Sequence, residues 1–295
     1  MIACVVNQED EFAKLLQLGM KDAADQEGIQ TLQVNTNGKL NKEIGLINNY
    51  IDRNVDGICI LPVGTDISLP AIKKASRNGV KIIFAGIEIG KDGGFDCIES
   101  DQSELGRKSG EACREFIVKK LGGKANIAIL RFNSQFPEIS KKRTESFVAE
   151  VTKLPGVRIT AERDAWLAEK AVAEGENIIK SQPNLDIIWA ANEGATVGAT
   201  IAVKNTGKNQ RVFVFGTDVS KQIANMLLSP DNILQAVTGQ QSYEIGKQAM
   251  ERLIKKIRGQ SVEKQEYISD ISLSRDHPEK VAEYLVNLNK QIISN

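Results

Sequence analysis

"GICILPVGTDISLPAIKKASRNGVKIIFAGI", residues 57–87, carries the reading of the fold. It opens on an almost unbroken apolar run, "GICILPV" (57–63), and closes on another, "KIIFAGI" (81–87). Between them, residues near 67–78 have the spacing of an amphipathic helix, and Asn78–Gly79 supplies a turn. Strands that are apolar on both faces belong to parallel sheets covered by helices on each side. A strand–helix–strand unit of this kind fixes an α/β class wherever it recurs.

It recurs along the whole chain. Upstream lie "IACVVN" (2–7) and "TLQVNT" (31–36), with helices predicted near 10–27 and 40–53; downstream comes "FDCIES" (95–100). The second half repeats the scheme with "NIAILRF" (126–132), "RITAER" (158–163), "DIIWAAN" (186–192), "RVFVFGT" (211–217) and "ILQAVTG" (233–239). Its helices are predicted near 103–121, 137–153, 167–182, 194–205 and 219–228. About ten such units make either one closed barrel or two open, doubly wound sheets. A barrel wants eight, and the rhythm here breaks in "GIEIGKDGGFDCIESDQSELG" (86–106), which suits a crossing between domains. At the far end Pro278 takes the first position of a helix whose stripe is Val281, Tyr284, Leu285, Leu288 and Ile292.

Composition narrows the function. The 38 basic and 38 acidic side chains cancel and no long basic run occurs, so no nucleic-acid footprint is visible. No stretch nears the roughly 20 apolar residues of a membrane span. The start, "MIACVVNQED", passes directly into a strand, without the basic and cleavage segments of a signal peptide. A single histidine and four scattered cysteines make a metal site unexpected. Neither "GKDGGF" nor "KLGGKA" follows the strand–loop–helix pattern of a phosphate loop.

Ligands of open α/β sheets sit beyond the carboxyl ends of the strands. The residues there are Gln8 to Phe12, Pro62 to Thr65, Gly86 to Glu88, Ser100–Asp101, Phe132 to Gln135, Asn192–Glu193, Gly216 to Asp218 and Gly239 to Gln241. Carboxylates, amides and hydroxyls dominate, and a histidine or cysteine nucleophile is missing. Such a set suits hydrogen bonding to a polyhydroxylated molecule better than acyl transfer. Asp66, Asp101 and Asp218 also stand where helix N-caps are expected.

In order and spacing, "GMKDAADQEGIQTLQVNT" (19–36), the 57–87 stretch, "ESDQSELGRKSGEA" (99–112), "IIWAANEGATVGATIAVKNTG" (187–207), "VFVFGTDVS" (212–220) and "AVTGQQSYEIGKQAMERL" (236–253) resemble periplasmic sugar-binding proteins of the ribose/galactose type. These are substrate receptors of ABC importers. The resemblance implies two doubly wound parallel-sheet lobes, joined by a three-crossing hinge, with the ligand in a cleft between them. The lobes would be 1–101 plus 241–268, and 102–240 plus 269–295. It implies no enzyme activity, no cofactor and no metal; a sugar or polyol ligand; an importer permease as partner; no nucleic acid; and a monomer. The location would be periplasmic or lipid-anchored extracellular. The family also contains effector domains of lactose-repressor-type regulators and extracellular sensor components, which is the alternative reading.

Carried over by position, the ligand contacts are Phe12, Asp101, Arg143, Trp166, Asn192, Asp218 and Gln240. The strand-end reading adds Asp10, Glu88 and Gln135. This chain departs from the ribose type in its first lobe. Phe12–Ala13 replaces two aromatics, Gly86–Ile87 an Asp–Arg pair, and Pro62 an asparagine. The expected ligand is therefore a sugar or polyol other than ribose, and Glu9, Asp10, Glu11, Glu88 and Glu193 are candidates for selecting an amino or cationic group.

Overall fold

The computed structural model describes residues 1–87 and 94–293. It divides into two compact units, Met1–Ser100 with Gln241–Ser269 and Asp101–Gln240 with Asp270–Asn295. The chain thus passes from one unit to the other three times.

Unit one begins with β1 (Ile2–Val6), α1 (Glu11–Gln26), β2 (Thr31–Asn35), α2 (Leu40–Asp52), β3 (Gly57–Ile60), α3 (Thr65–Arg77), β4 (Lys81–Ala85) and β5 (Asp96–Glu99). Unit two follows as α4 (Gln102–Leu121), β6 (Lys124–Arg131), α5 (Pro137–Val151), β7 (Gly156–Asp164), α6 (Ala168–Ser181), β8 (Ile187–Ala190), α7 (Glu193–Asn205), β9 (Phe213–Thr217), α8 (Lys221–Leu228) and β10 (Leu234–Gly239). The chain returns to unit one for α9 (Ser242–Ile257) and β11 (Gln265–Tyr267). It ends in unit two with β12 (Ile271–Ser274) and α10 (Pro278–Ile293).

The sheets run β11-β5-β4-β3-β1-β2 and β12-β10-β9-β8-β6-β7. Of the twelve strands among the described residues, ten were legible from apolar runs. The short β11 and β12 were not, and β12 departs from the all-parallel expectation: it pairs antiparallel with β10, Val237 opposite Leu273. The other pairings, such as β1 with β3, are parallel. In each unit the first strand lies between the next two in sequence, one place in from the sheet edge. From β1 the chain steps to β2 on one side and β3 on the other; from β6 it steps to β7 and β8 in the same way. The reversal creates one switch point per sheet, at the carboxyl ends of β1/β3 and of β6/β8.

Packing follows from the buried strand faces. In unit one Val5, Ile58, Ile60, Ile82 and Phe84 meet Ile47, Tyr50, Ile72 and Ala75 from α2 and α3. On the other face α1 and α9 touch backbone to backbone. A Cβ on Gly246 would lie 1.9 Å from Leu16 O, and one on Gly19 2.0 Å from Tyr243 O. Only glycine allows that approach. In unit two the end of the chain packs as its stripe predicts: Val281 is buried in the core, with Tyr284 and Leu285 against it. Among the described residues no helix is long and apolar enough to cross a membrane.

Two capping expectations are corrected. Asp101 caps α4, but Gly64 stands at the N-cap of α3 with Asp66 inside the helix. Ser220, rather than Asp218, caps α8, accepting from Ile223 N. That leaves the Asp218 carboxylate available for other bonds.

Candidate functional site

Five of the sequence-derived residues converge in unit two: Arg143, Asp218, Gln240, Asn192 and Trp166. The Asp218 carboxylate gathers three of the contacts. It follows β9 in a left-handed conformation (φ 72°), a region that Asp tolerates better than most residues. Its Oδ1 accepts from Gln240 Nε2 at 3.0 Å, and its Oδ2 accepts from the Glu193 backbone N–H at 3.0 Å. Arg143 Nη1 stands 3.5 Å from the same Oδ2. Both partners of this ion pair are buried, at 3% and 7% exposure, so neither charge is compensated by bulk water.

Arg143 is held by several elements at once. It lies in α5, and α5 comes close to α4 because Gly106 has no side chain; a Cβ there would meet Arg143 O at 2.1 Å. The approach brings Gln102, in the first turn of α4, within reach, and its Oε1 accepts from Arg143 Nε at 2.6 Å. Arg143 Nη1 also donates to Ala191 O at 2.8 Å, at the end of β8. The guanidinium carbon lies 5.4 Å from the centre of the Phe132 ring, a cation–π arrangement.

Aromatic rings complete this surface. Phe132 and Phe136 flank Trp166 with centroids 5.4 Å and 5.6 Å apart. Asn192 Nδ2 donates to Trp166 O at 2.9 Å, tying the end of β8 to the segment before α6. One arm of the Asn192 amide is therefore committed within the protein. Its Oδ1 and Gln240 Oε1 are buried acceptors with no hydrogen-bond partner among the described residues. Buried polar atoms are nearly always bonded, so two open acceptors beside one carboxylate mark a place where donors are received.

The remaining candidates lie elsewhere. Asp101 is exposed, and its Oδ1 accepts from Ser103 N (2.9 Å) and Glu104 N (3.1 Å). Asp10 caps α1 through Ala13 N at 2.9 Å and also receives Gln8 Nε2. Phe12 is buried in unit one, near Gly86. Gln135 is exposed in the turn after β6. Glu88 lies outside the described residues.

Sequence reasoning passed over Gln102, Phe132 and Phe136 as site residues. Phe132 stood among the strand ends, and Gln102 begins the buried stripe that continues through Leu105, Gly106 and Ser109. Among the described residues no group of three or more His, Cys, Asp or Glu could hold a metal ion.

Comparison with known proteins agrees with this architecture. A family model described as a periplasmic binding protein domain matches residues 2–261. The ABC transporter periplasmic-binding protein YphF of Escherichia coli K12 is 29% identical over 251 residues, covering 82% of this chain and 76% of that protein. A D-apiose import binding protein of Actinobacillus succinogenes is 26% identical, covering 90% of this chain and 84% of that protein. A crystal structure of an ABC transporter periplasmic solute binding protein from the same species, with bound D-allose, superposes with a TM-score of 0.87 at 23% identity. It covers 95% of this chain and 99% of its own.

Proposed function

We propose, from the premise that the chain belongs to the periplasmic binding protein domain family, that it is the receptor for a sugar or polyol and delivers it to an ABC importer. Members of this family are substrate-binding proteins, and the chain is a binding protein and not an enzyme. The family works in the periplasm or outside the cell; attachment of this chain by a lipid anchor is the finer proposal.

The observation that carries the ligand reading is the cluster around Asp218. A carboxylate, a guanidinium and two half-open amides converge at the strand ends of unit two, beside the Trp166 ring. Vicinal hydroxyls both donate and accept, so open amide oxygens and a guanidinium match them in pairs. An aromatic face suits the C–H patches of a sugar ring. Relatives named for D-apiose import and for bound D-allose support the same ligand class. Of the two readings open to the sequence, they favour the import receptor over the gene regulator.

A thermal-shift panel of pentoses, hexoses, polyols and amino sugars tests this. At least one compound is expected to raise the melting temperature of the wild-type protein, and Arg143→Ala is expected to lose that response. A panel without any shift would count against the sugar reading. An unchanged response in Arg143→Ala would remove Arg143 from the site.

A further inference from the structure

The pairing of β8 with β9 runs from Ile187 opposite Phe213 to Ala190 opposite Gly216. Beyond that point the first strand continues to Asn192 and the start of α7, and the second to Asp218. Two threonines with no exposed surface carry the connection past the end of the ladder. Thr217 Oγ1 donates to Ala190 O at 3.1 Å. Thr196, one turn into α7, reaches back to both strand ends. Its Oγ1 accepts from Thr217 N at 3.2 Å, and its single proton has Asn192 O at 2.8 Å and Thr217 O at 3.0 Å as acceptors.

Gly216 makes room for this hydroxyl. A Cβ there would lie 2.4 Å from both Oγ1 and Cγ2 of Thr196, so a side chain at 216 would force α7 off the strand. Thr200, one turn further along α7, offers a contrast. Its Oγ1 donates to Thr196 O at 2.9 Å, a bond that stays inside the helix. The Thr196 hydroxyl crosses from the helix to β9. The two backbone segments it joins carry site residues: Asn192 supplies one of the carbonyls, and Asp218 follows Thr217 directly.

We infer that Thr196 is a positioning residue, whose hydroxyl sets the spacing between Asn192 and Asp218 and so the spacing of the ligand hydroxyls they receive. The inference rests on the sugar or polyol reading above and stays within unit two. Replacing the hydroxyl by a methyl in Thr196→Val keeps the shape of the side chain but takes from the buried Thr217 N–H the acceptor it has in Thr196. Both strand ends are then free to shift, and the side chains they carry shift with them.

Isothermal calorimetry with D-ribose, D-allose, D-apiose, myo-inositol and xylitol identifies the compound that binds best. At a temperature where every variant is folded, Thr196→Val is expected to bind it ~10-fold more weakly than wild type, the worth of one neutral hydrogen bond. Thr196→Ser keeps the hydroxyl and is expected to bind within about threefold of wild type. Thr200→Val removes a buried hydroxyl from the same helix; it is expected to lower the melting temperature comparably and to leave affinity unchanged. That control separates positioning from general loss of stability. If Thr196→Val does not fold, Thr196→Ala carries the same expectation. Wild-type affinity in the variant without the hydroxyl, an equal loss in Thr200→Val, or failure of Thr196→Ser to restore binding would overturn the role of Thr196 alone. Failure of wild type to bind any of the five compounds would overturn the underlying ligand reading and the role of Thr196 with it.

Discussion

The position after the fourth strand counted from the β2 edge of one sheet and the β7 edge of the other, Gly86 in unit one and Asp218 in unit two, has the same backbone and opposite chemistry. Both residues are left-handed, at φ 85° and 72°. Both donate their main-chain N–H to the next strand over, Gly86 to Ile98 O at 2.7 Å and Asp218 to Thr238 O at 2.9 Å. At Asp218 the side chain gathers an arginine, a glutamine and a backbone amide. At Gly86 no side chain exists, and the Phe12 ring lies where one would project. One turn geometry therefore serves either a charged network or an apolar surface, and the residue placed on it decides which.

Exchanging the two residues is the most direct way to break this comparison. Asp218→Gly is expected to have the largest effect. It removes the anion while Arg143 stays buried, at a cost of about 3–5 kcal/mol, offset by ~1 kcal/mol from the relaxed backbone. Chemical denaturation should register the net loss, and calorimetry should find sugar affinity reduced by 100-fold or more. Wild-type affinity in Asp218→Gly would show that the carboxylate only supports the fold.

The reverse change, Gly86→Asp, is expected to be milder. The left-handed turn costs an L-residue about 1 kcal/mol, and the new Cβ must displace the Phe12 ring by a few tenths of an ångström. A melting temperature lower by several degrees is expected. An unchanged melting temperature would show that the turn accepts a side chain without moving the Phe12 ring.

The smallest effect belongs to Glu43 of α2. Its Oε2 accepts from Val63 N at 2.7 Å, just past the Pro62 carbonyl that holds Asn7. Burial raises its pKa above the ordinary carboxylate value. A raised native pKa means that the folded state favours the protonated acid. Stability linked to Glu43 is thus fully present below the unfolded pKa of about 4.3 and is lost as pH rises through the raised value. Glu43→Gln keeps a carbonyl oxygen for Val63 and removes that titration. Its denaturation midpoint should vary less with pH over this range than that of wild type; identical pH profiles would assign the dependence to other groups.

Much of this architecture could be read from the chain because hydrophobic burial is written in local periodicity. "GICILPV" and "KIIFAGI" show it on single strands. Strands β11 and β12, with the sequences QEY and ISLS, contain no apolar run of the kind that marks the other strands. The site was legible by two routes. Asn192, Asp218 and Gln240 follow strand ends, where the fold class alone directs attention. Arg143 sits inside α5 among "SKKRTESF", where nothing local separates a buried arginine from the exposed lysines beside it. Only resemblance singled it out.

The glycine contact between α1 and α9 also has a consequence for how the protein is made. Synthesis proceeds from the N-terminus, so α1 is complete more than 200 residues before the Gly246 turn that it packs against has been added. Throughout that interval the apolar side of α1, with Leu16 and Met20, lacks the helix that covers it in the finished protein. Unit one is first in the chain, yet it can reach its final form only after nearly all of unit two has been synthesised.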